Sequence, residues 1–445
     1  MFYFLRRPFL WISGGHHRGR YYYRPLVPPL SQPSRYCRCF LFRPYYYCAL
    51  TLISTFNPSY TELPSHYSSL RDAALKSNRP GRGNLRNEKV FIAAGLYDPS
   101  GELARGHWGS SVLQLIHLLG KDNVFLSIYE NDSGREGEIA LNDLAEDVMC
   151  NKSIVFEDHL DLHGLRKINT PEGTENIKRI TYLAEARNRA LQPLDKSVVY
   201  FDKLLYLNDV AFNPVDALQL LFSTNINEHG KAQYRAACAV DFINPFKFYD
   251  TYATRDSEGY SMGLPFFPWF SDSGSGQSRK AVLSGTDAVP VRSCWGVMTA
   301  FDAQFLQKNI KTEPEVAGKS LPARFRTLQD VNLFWDASEC CLIHADIQPP
   351  LYTTDQITEI TGIYINPFLF SFLHNAGNHL VGLPWYNPRR EIPGQRVEEA
   401  VFAHNGNQTV ERVTGHDGFC GRKGLQVIVG RGEEKKGWKT IPMGL

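Results

Sequence analysis

The sequence predicts an α/β fold: a mostly parallel sheet flanked by helices, with a less regular C-terminal half. Two observations predict it. Between residues 88 and 224, apolar runs of strand length alternate with stretches of helical spacing. Each strand-like run is also apolar throughout, which is the pattern of strands covered on both faces. A third observation bears on function. These runs end in Tyr97-Asp98, in Glu130 to Ser133 and in Asn208-Asp209. In an open parallel sheet, ligands bind beyond the carboxyl ends of the strands.

In chain order, "EKVFIAAGLY" (Glu88–Tyr97) is the first strand. "HWGSSVLQLIHLLG" (His107–Gly120) is a helix closed by glycine. "NVFLSIYEND" (Asn123–Asp132) is the second strand and "EGEIALNDLAEDVMC" (Glu136–Cys150) the second helix. A longer helix, Thr174–Leu194, is expected to stop at Pro193, since proline cannot continue a helix. The strand "SVVYFDKLLYLNDV" and the helix "NPVDALQLLFST", with Pro214 near its start, follow. Further on, Tyr234–Asp256 and Val289–Leu306 read as strands with turns, Ser271–Ser278 as a mobile loop, and Ser338–Ile347 as a strand or a helix start.

The chain has 445 residues, 43% of them hydrophobic and 13% aromatic, which places it among globular proteins. Its net charge of +2 gives no nucleic-acid footprint. Residues 1–56 form a basic leader with arginines at 6, 7, 18, 20, 24, 35, 38 and 43, and with no acidic residue. The apolar stretch Tyr45–Phe56 behind them has the order of a short signal-anchor, although a spanning helix needs about 20 apolar residues. A mitochondrial presequence ranks below this, because prolines 8, 25, 28, 29 and 33 oppose an amphipathic helix. Residues 57–87 read as a polar stem, 88–386 as the main domain, and 387–445 as an unassigned tail. Outside the leader lie cysteines 150, 238, 294, 340, 341 and 420. They show no CxxC spacing, and the sequence does not choose among their pairings. Sequons stand at Asn131, Asn151 and Asn407.

Asp209 ends a buried-looking strand. Either it is a turn or cap aspartate, or it is an oxygen ligand for a divalent cation that bridges a diphosphate. Glu339, His344 and Asp346 fall in one apolar segment. A lone histidine there is usually a core residue, and an acid beside it points to a site. "GYSMG" (Gly259–Gly263) matches a hydrolase elbow at Ser261, but Pro265 and Pro268 oppose the helix that elbow needs.

Eight stretches occur together in order: "VFIAAGLY", "NVFLSIYENDSG", "YLAEARNRALQPLD", "DKLLYLNDVAF", "YRAACAVDF", "YDTYATRDSEG", "VPVRSCWGVMTAFDA" and "SECCLIHADI". Over roughly residues 88–368 the chain resembles the fungal α-1,3-mannosyltransferase and capsule-associated protein family (glycosyltransferase family 69). The resemblance implies a GT-A-like Rossmann-type fold, GDP-mannose as donor, a glycan acceptor, Mn²⁺ or Mg²⁺, and a type II protein of the Golgi membrane with a lumenal domain. It implies that Asp209 and His344 hold the metal. Glu130, Ser133, Arg187, Asn188 and Asn208 would contact the donor, Trp295 would lie on the acceptor side, and Glu339 would act on the acceptor hydroxyl. The chain departs from the family pattern at Gly296-Val297, after Pro367, and at Arg135-Glu136. A non-catalytic family member supporting polysaccharide assembly is the alternative.

Overall fold

The computed structural model describes residues 62–244, 247–262, 265–296, 298–308, 322–328, 333–348, 361–372, 418–429 and 437–442, with residue 60 and the pairs 352–353 and 356–357. The chain divides after Leu63, and the fold below is that of the unit Pro64–Leu445. The expected anchor Tyr45–Phe56, the leader cysteines and Asn407 lie outside the described residues. Among the described residues, no helix is long and apolar enough to cross a membrane.

The stretch expected as a stem is part of this body from Pro64 onward. Helix α1 (Tyr67–Lys76) buries Tyr67, Leu70 and Ala74. The Tyr67 main-chain carbonyl accepts from Gln219, and its hydroxyl accepts from Asn366. Three apolar side chains at helical spacing suffice to dock an otherwise polar segment, which composition alone does not reveal.

Four parallel strands follow: β1 (Val90–Leu96), β2 (Val124–Asn131), β3 (Asn151–Glu157) and β4 (Lys203–Leu207), in the spatial order β3-β2-β1-β4. Val90 to Ala94 and all of β4 are buried, as coverage of both faces requires. Helices α2 (His107–Leu119), α3 (Gly134–Asp147) and α4 (Arg179–Lys196) form the connections. Helix α2 turns its Val112, Leu115, Ile116 and Leu119 face inward and ends on Gly120 at φ +87. Helix α4 passes Pro193 and ends at Lys196. A proline this close to a helix end disrupts little of the ladder that follows it. Helix α5 (Pro214–Phe222) starts as its sequence predicts, with the Asn213 side chain accepting the Val215 N–H at 2.8 Å.

The second half extends the sheet with β5 (Ala236–Asn244), β6 (Lys247–Phe248), β7 (Arg255–Asp256), β8 (Val289–Ser293), β9 (Met298–Asp302) and β10 (Ile363–Phe372). The order runs on as β4-β9-β5-β10-β8-β7, with β6 beside β5. β9 is antiparallel to both its neighbours, while β5 and β10 are parallel to each other. Only β6, β8 and β9 run against β1, so the sheet is mostly parallel. Helix α6 (Gln277–Ser284) begins at the end of the Gly/Ser tract. Helix α7 (Glu339–Asp346) settles the ambiguous segment as a helix: Ser338 caps it, and all eight residues are buried. The hydrolase elbow does not form. Ser261 bridges to Arg255, and the described residues after it up to Gly276 are bends and turns.

Two disulfides pair Cys238 with Cys294 and Cys341 with Cys420. The second fastens part of the unassigned tail to α7. Leu425, Val427, Val429 and Ile441 then pack with Ile168 in a small separate cluster. Because this bridge closes a loop of sequence separation 79, Cys420→Ser is expected to lower unfolding free energy by about 2–5 kcal/mol. Urea unfolding under non-reducing conditions measures it, and an unchanged midpoint would mean that the bridge does not form.

Candidate active site

The strand order fixes where a site can form. β1 leads to β2 and β3 on one side, and β4 lies on the other, so the strand order switches between β1 and β4, and a sheet of this kind holds its ligand beyond their carboxyl ends. Asp98 follows β1 there, and Asn208-Asp209 follows β4.

Arg187 on α4 is the centre of the arrangement. Its Nε donates to Glu339 Oε1 at 2.9 Å and its Nη1 to Asn208 Oδ1 at 3.1 Å. The guanidinium lies 4.7 Å from the ring centroid of Trp295, and 5.7 and 5.8 Å from those of Tyr206 and Phe325. The three rings pack on one another with centroids 5.3 to 5.5 Å apart. A planar cation held in a fork by carboxylate and amide, against aromatic faces, is a pre-organised group.

Asn208 is fully engaged. Beyond Arg187, its amide donates to the Gly296 carbonyl at 3.4 Å, and its own carbonyl accepts from Trp108 Nε1 at 2.9 Å. Gly296 approaches β5 so closely that a Cβ would lie 1.9 Å from the Ala239 carbonyl oxygen, so only glycine fits there. Asp209 is exposed at the crevice mouth and, among the described residues, has no ion pair. The surrounding protein nonetheless displaces enough of its water to push its carboxyl up. Arg187 opposes this shift, and Asp98 adds to it.

A second group sits at the ends of β1 and β2. The Asp98 N–H donates to Ser133 Oγ at 2.8 Å, and Asp98 Oδ2 accepts the N–H groups of Leu103 and Ala104. Glu130 is fully buried, and among the described residues neither of its carboxyl oxygens has a hydrogen-bond partner. Gly137 allows this packing, since a Cβ there would stand 2.8 Å from Glu130 Oε1. Burial raises the Glu130 carboxyl to about 7. Asp98 adds to the shift, and the Ser133 hydroxyl and Asp98 N–H counter it. A raised folded pKa means that the folded state holds a proton the unfolded state releases. Stability therefore falls as pH climbs from the ordinary carboxyl value toward 7. Glu130→Gln is expected to raise Tm clearly at pH 8 and little at pH 5. An equal shift at both pH values would sink the assignment.

The structure brings together Arg187, Asn208, Trp295 and Glu339, places Asp209 next in sequence to Asn208, and ties Ser133 to Asp98 beside Glu130. Three expectations change. Asn188, one residue from Arg187, spends its side chain on the backbone of that cluster's wall. Its amide both donates to and accepts from the Phe325 backbone, at 2.8 and 2.9 Å, so it braces an aromatic wall. His344 does not join Asp209. It is fully buried, its Nδ1 donates to the Cys340 carbonyl at 2.7 Å, and it packs against Phe301 and the Cys238–Cys294 disulfide. Burial pushes its imidazole down to about 4, the behaviour of a neutral core histidine. Glu339 is only 3% exposed, and its Oε1 accepts from Arg187 and from the Cys340 thiol, which ties it to the guanidinium.

Sequence reasoning missed two carboxyls. Asp241 on β5 and Asp250 beyond β6 are each pushed up by burial, and Asp250 raises Asp241 further. Asp241 Oδ1 and Asp250 Oδ2 have no hydrogen-bond partner among the described residues. The Tyr249 phenol between them in sequence is raised by burial and by Asp241, Asp250 and Asp209. An aspartate inside the apolar run around Val240 was the available signal.

A family model described as Cryptococcal mannosyltransferase 1 matches residues 89–346. No curated protein matches the sequence. Among solved structures, the mannosyltransferase PcManGT from Pyrobaculum calidifontis, in complex with GDP-Man and Mn²⁺, is similar at 12% identity. The TM-score is 0.33, and the similarity covers 73% of this chain and 67% of that one.

Proposed function

The chain belongs to the Cryptococcal mannosyltransferase 1 family and is a glycosyltransferase of the mannosyltransferase type, and from that premise we propose that it moves mannose from GDP-mannose to a glycan hydroxyl with the help of Mn²⁺ or Mg²⁺. The observation that carries this reading is the crevice beyond β1 and β4. It places an exposed carboxylate, Asp209, which has no ion pair among the described residues, one residue from the Asn208 that braces the half-buried Arg187 guanidinium. A nucleoside diphosphate carries the charge that both would manage.

The donor set fits a hard cation. Asp209 offers carboxylate oxygen, no ion pair among the described residues engages it, and diphosphate oxygens and water would supply the remaining ligands such an ion takes. When bound, the ion supplies Lewis-acid stabilisation of the departing diphosphate. Arg187 adds fixed positive charge in a site whose aromatic walls exclude water. Glu339 and Asn208 hold the guanidinium in place, so no reorganisation is needed when charge develops on the leaving group. Glu130 and Ser133 shape the nucleoside side of the crevice, and Trp295 shapes the acceptor side. We further propose an α-1,3 linkage in wall, capsule or glycan synthesis, and anchorage by residues 45–56 with the catalytic unit in the Golgi lumen.

The test is a panel of nucleotide sugars given to purified protein with and without Mn²⁺. GDP-mannose should be turned over, and chelation should stop it. Turnover of a different nucleotide sugar would replace the donor. Absence of any turnover, with nucleotide still bound, would favour the non-catalytic alternative.

A further inference from the structure

A cavity of about 290 Å³ opens at the foot of the sheet, near the lower end of the volumes that hold ligands. Glu88 before β1, Lys203 at the start of β4, Tyr234 before β5 and Asp302 at the end of β9 line it, with Tyr200 and Lys231 beside them. The rim that carries Asp209 is at the other end of β4, about 16 Å away along the strand.

The lining charges do not meet. Lys203 is only 4% exposed, yet among the described residues no hydrogen bond or ion pair reaches its ammonium. It stands over the Tyr234 ring, 4.1 Å from the centroid. Burial lowers its pKa, and Asp302 and Glu88 act against that, so these acids are near enough to be felt while no ion pair joins them to it. Glu88 is 9% exposed, and its Oε2 has no partner. Asp302 spends its carboxylate on Gln304, and Asp202 accepts the Lys89 N–H. A buried cation and a buried carboxylate thus face one space, each wanting a hydrogen-bond partner.

The charge balance narrows the ligand. An anion would meet Glu88, Asp202 and Asp302. A cation would meet Lys203 and Lys231, and an apolar molecule would leave both signs of charge dry. A neutral polyol satisfies all of them, because each hydroxyl donates to a carboxylate and accepts from an ammonium. Tyr200, 44% exposed, offers a ring for the C–H face of a sugar. We propose that this cavity is a second saccharide site, taking one pyranose of a neutral glycan away from the transfer crevice. Such a site holds a long acceptor at a point distant from the reacting hydroxyl.

The probe is methyl α-D-mannopyranoside, titrated into the full chain by ligand-observed NMR, with Lys203→Met and Tyr200→Ala as variants. Both should weaken sugar binding roughly tenfold or more, the loss of one or two hydrogen-bonded or stacked contacts. GDP binding and GDP-mannose turnover should stay at the parent level. If Lys203→Met does not fold, Tyr200→Ala at the surface decides alone. No binding by the parent chain, or binding unchanged in the folded variants, overturns the proposal. Failure of the transfer reading shows separately, as absent GDP-mannose turnover in the parent.

Discussion

Asp209→Asn is expected to lower mannosyl transfer about 100- to 1,000-fold, or roughly 3–4 kcal/mol of transition-state stabilisation, while leaving the fold as stable as the parent or slightly more so. The two halves of this expectation have one cause. The Asp209 carboxyl is pushed up because its surroundings displace water, with Arg187 only partly compensating. A carboxyl raised in the folded state makes folding less favourable as pH rises past its unfolded value, so the neutral amide removes a cost at pH 7. The amide cannot hold the cation, however, and the charge of the departing diphosphate then goes unmatched. If Asp209 were a turn or cap residue, asparagine would serve nearly as well and activity would survive. The deciding measurement is Mn²⁺-dependent GDP binding to parent and variant alongside their melting temperatures. A variant that keeps the same metal-dependent binding removes Asp209 from the metal site.

The second large effect concerns the pair Arg187 and Glu339. Arg187→Met is expected to destabilise the protein by about 3–5 kcal/mol, because it leaves Glu339 buried at 3% exposure with no counter-charge. Adding Glu339→Gln to it should recover much of that loss, since the uncompensated charge goes too, and a coupling of about 0.5–3 kcal/mol should appear in the cycle. Glu339→Gln alone is the functional test. Gln keeps the shape and still accepts from Arg187, so the fold should persist. If Glu339 serves by setting the guanidinium, donor affinity and transfer fall together. Loss of transfer with donor affinity intact would instead return Glu339 to the acceptor. Additive stabilities in the double variant would mean that the 2.9 Å contact contributes nothing.

The sequence by itself determined the parallel core and the position of its rim. β1, β2 and β4 are apolar runs bounded by polar residues, and the helices between them carry their periodicity, glycine stop and asparagine cap locally. The end of such a run is visible in the chain, so Asp98, Glu130 and Asp209 were legible as rim residues. Which side chains meet there was decided only by the tertiary structure. Arg187 and Glu339 are 152 residues apart, and nothing in either segment names the other. The same holds for β9, which enters between β4 and β5 from 91 residues beyond β4's end, and for the Cys341–Cys420 bridge. His344 shows the limit most plainly. A histidine and acids in one short apolar segment look like a ligand set. About 1.4 turns of helix separate Glu339 from His344, however, which puts them on different sides, and only packing of α7 decides which side meets Arg187 and which meets the disulfide. Local patterns record whether a residue is buried, because burial recurs with the period of the element. The partner of a buried charge is set by which elements pack together, and that is a property of the whole fold.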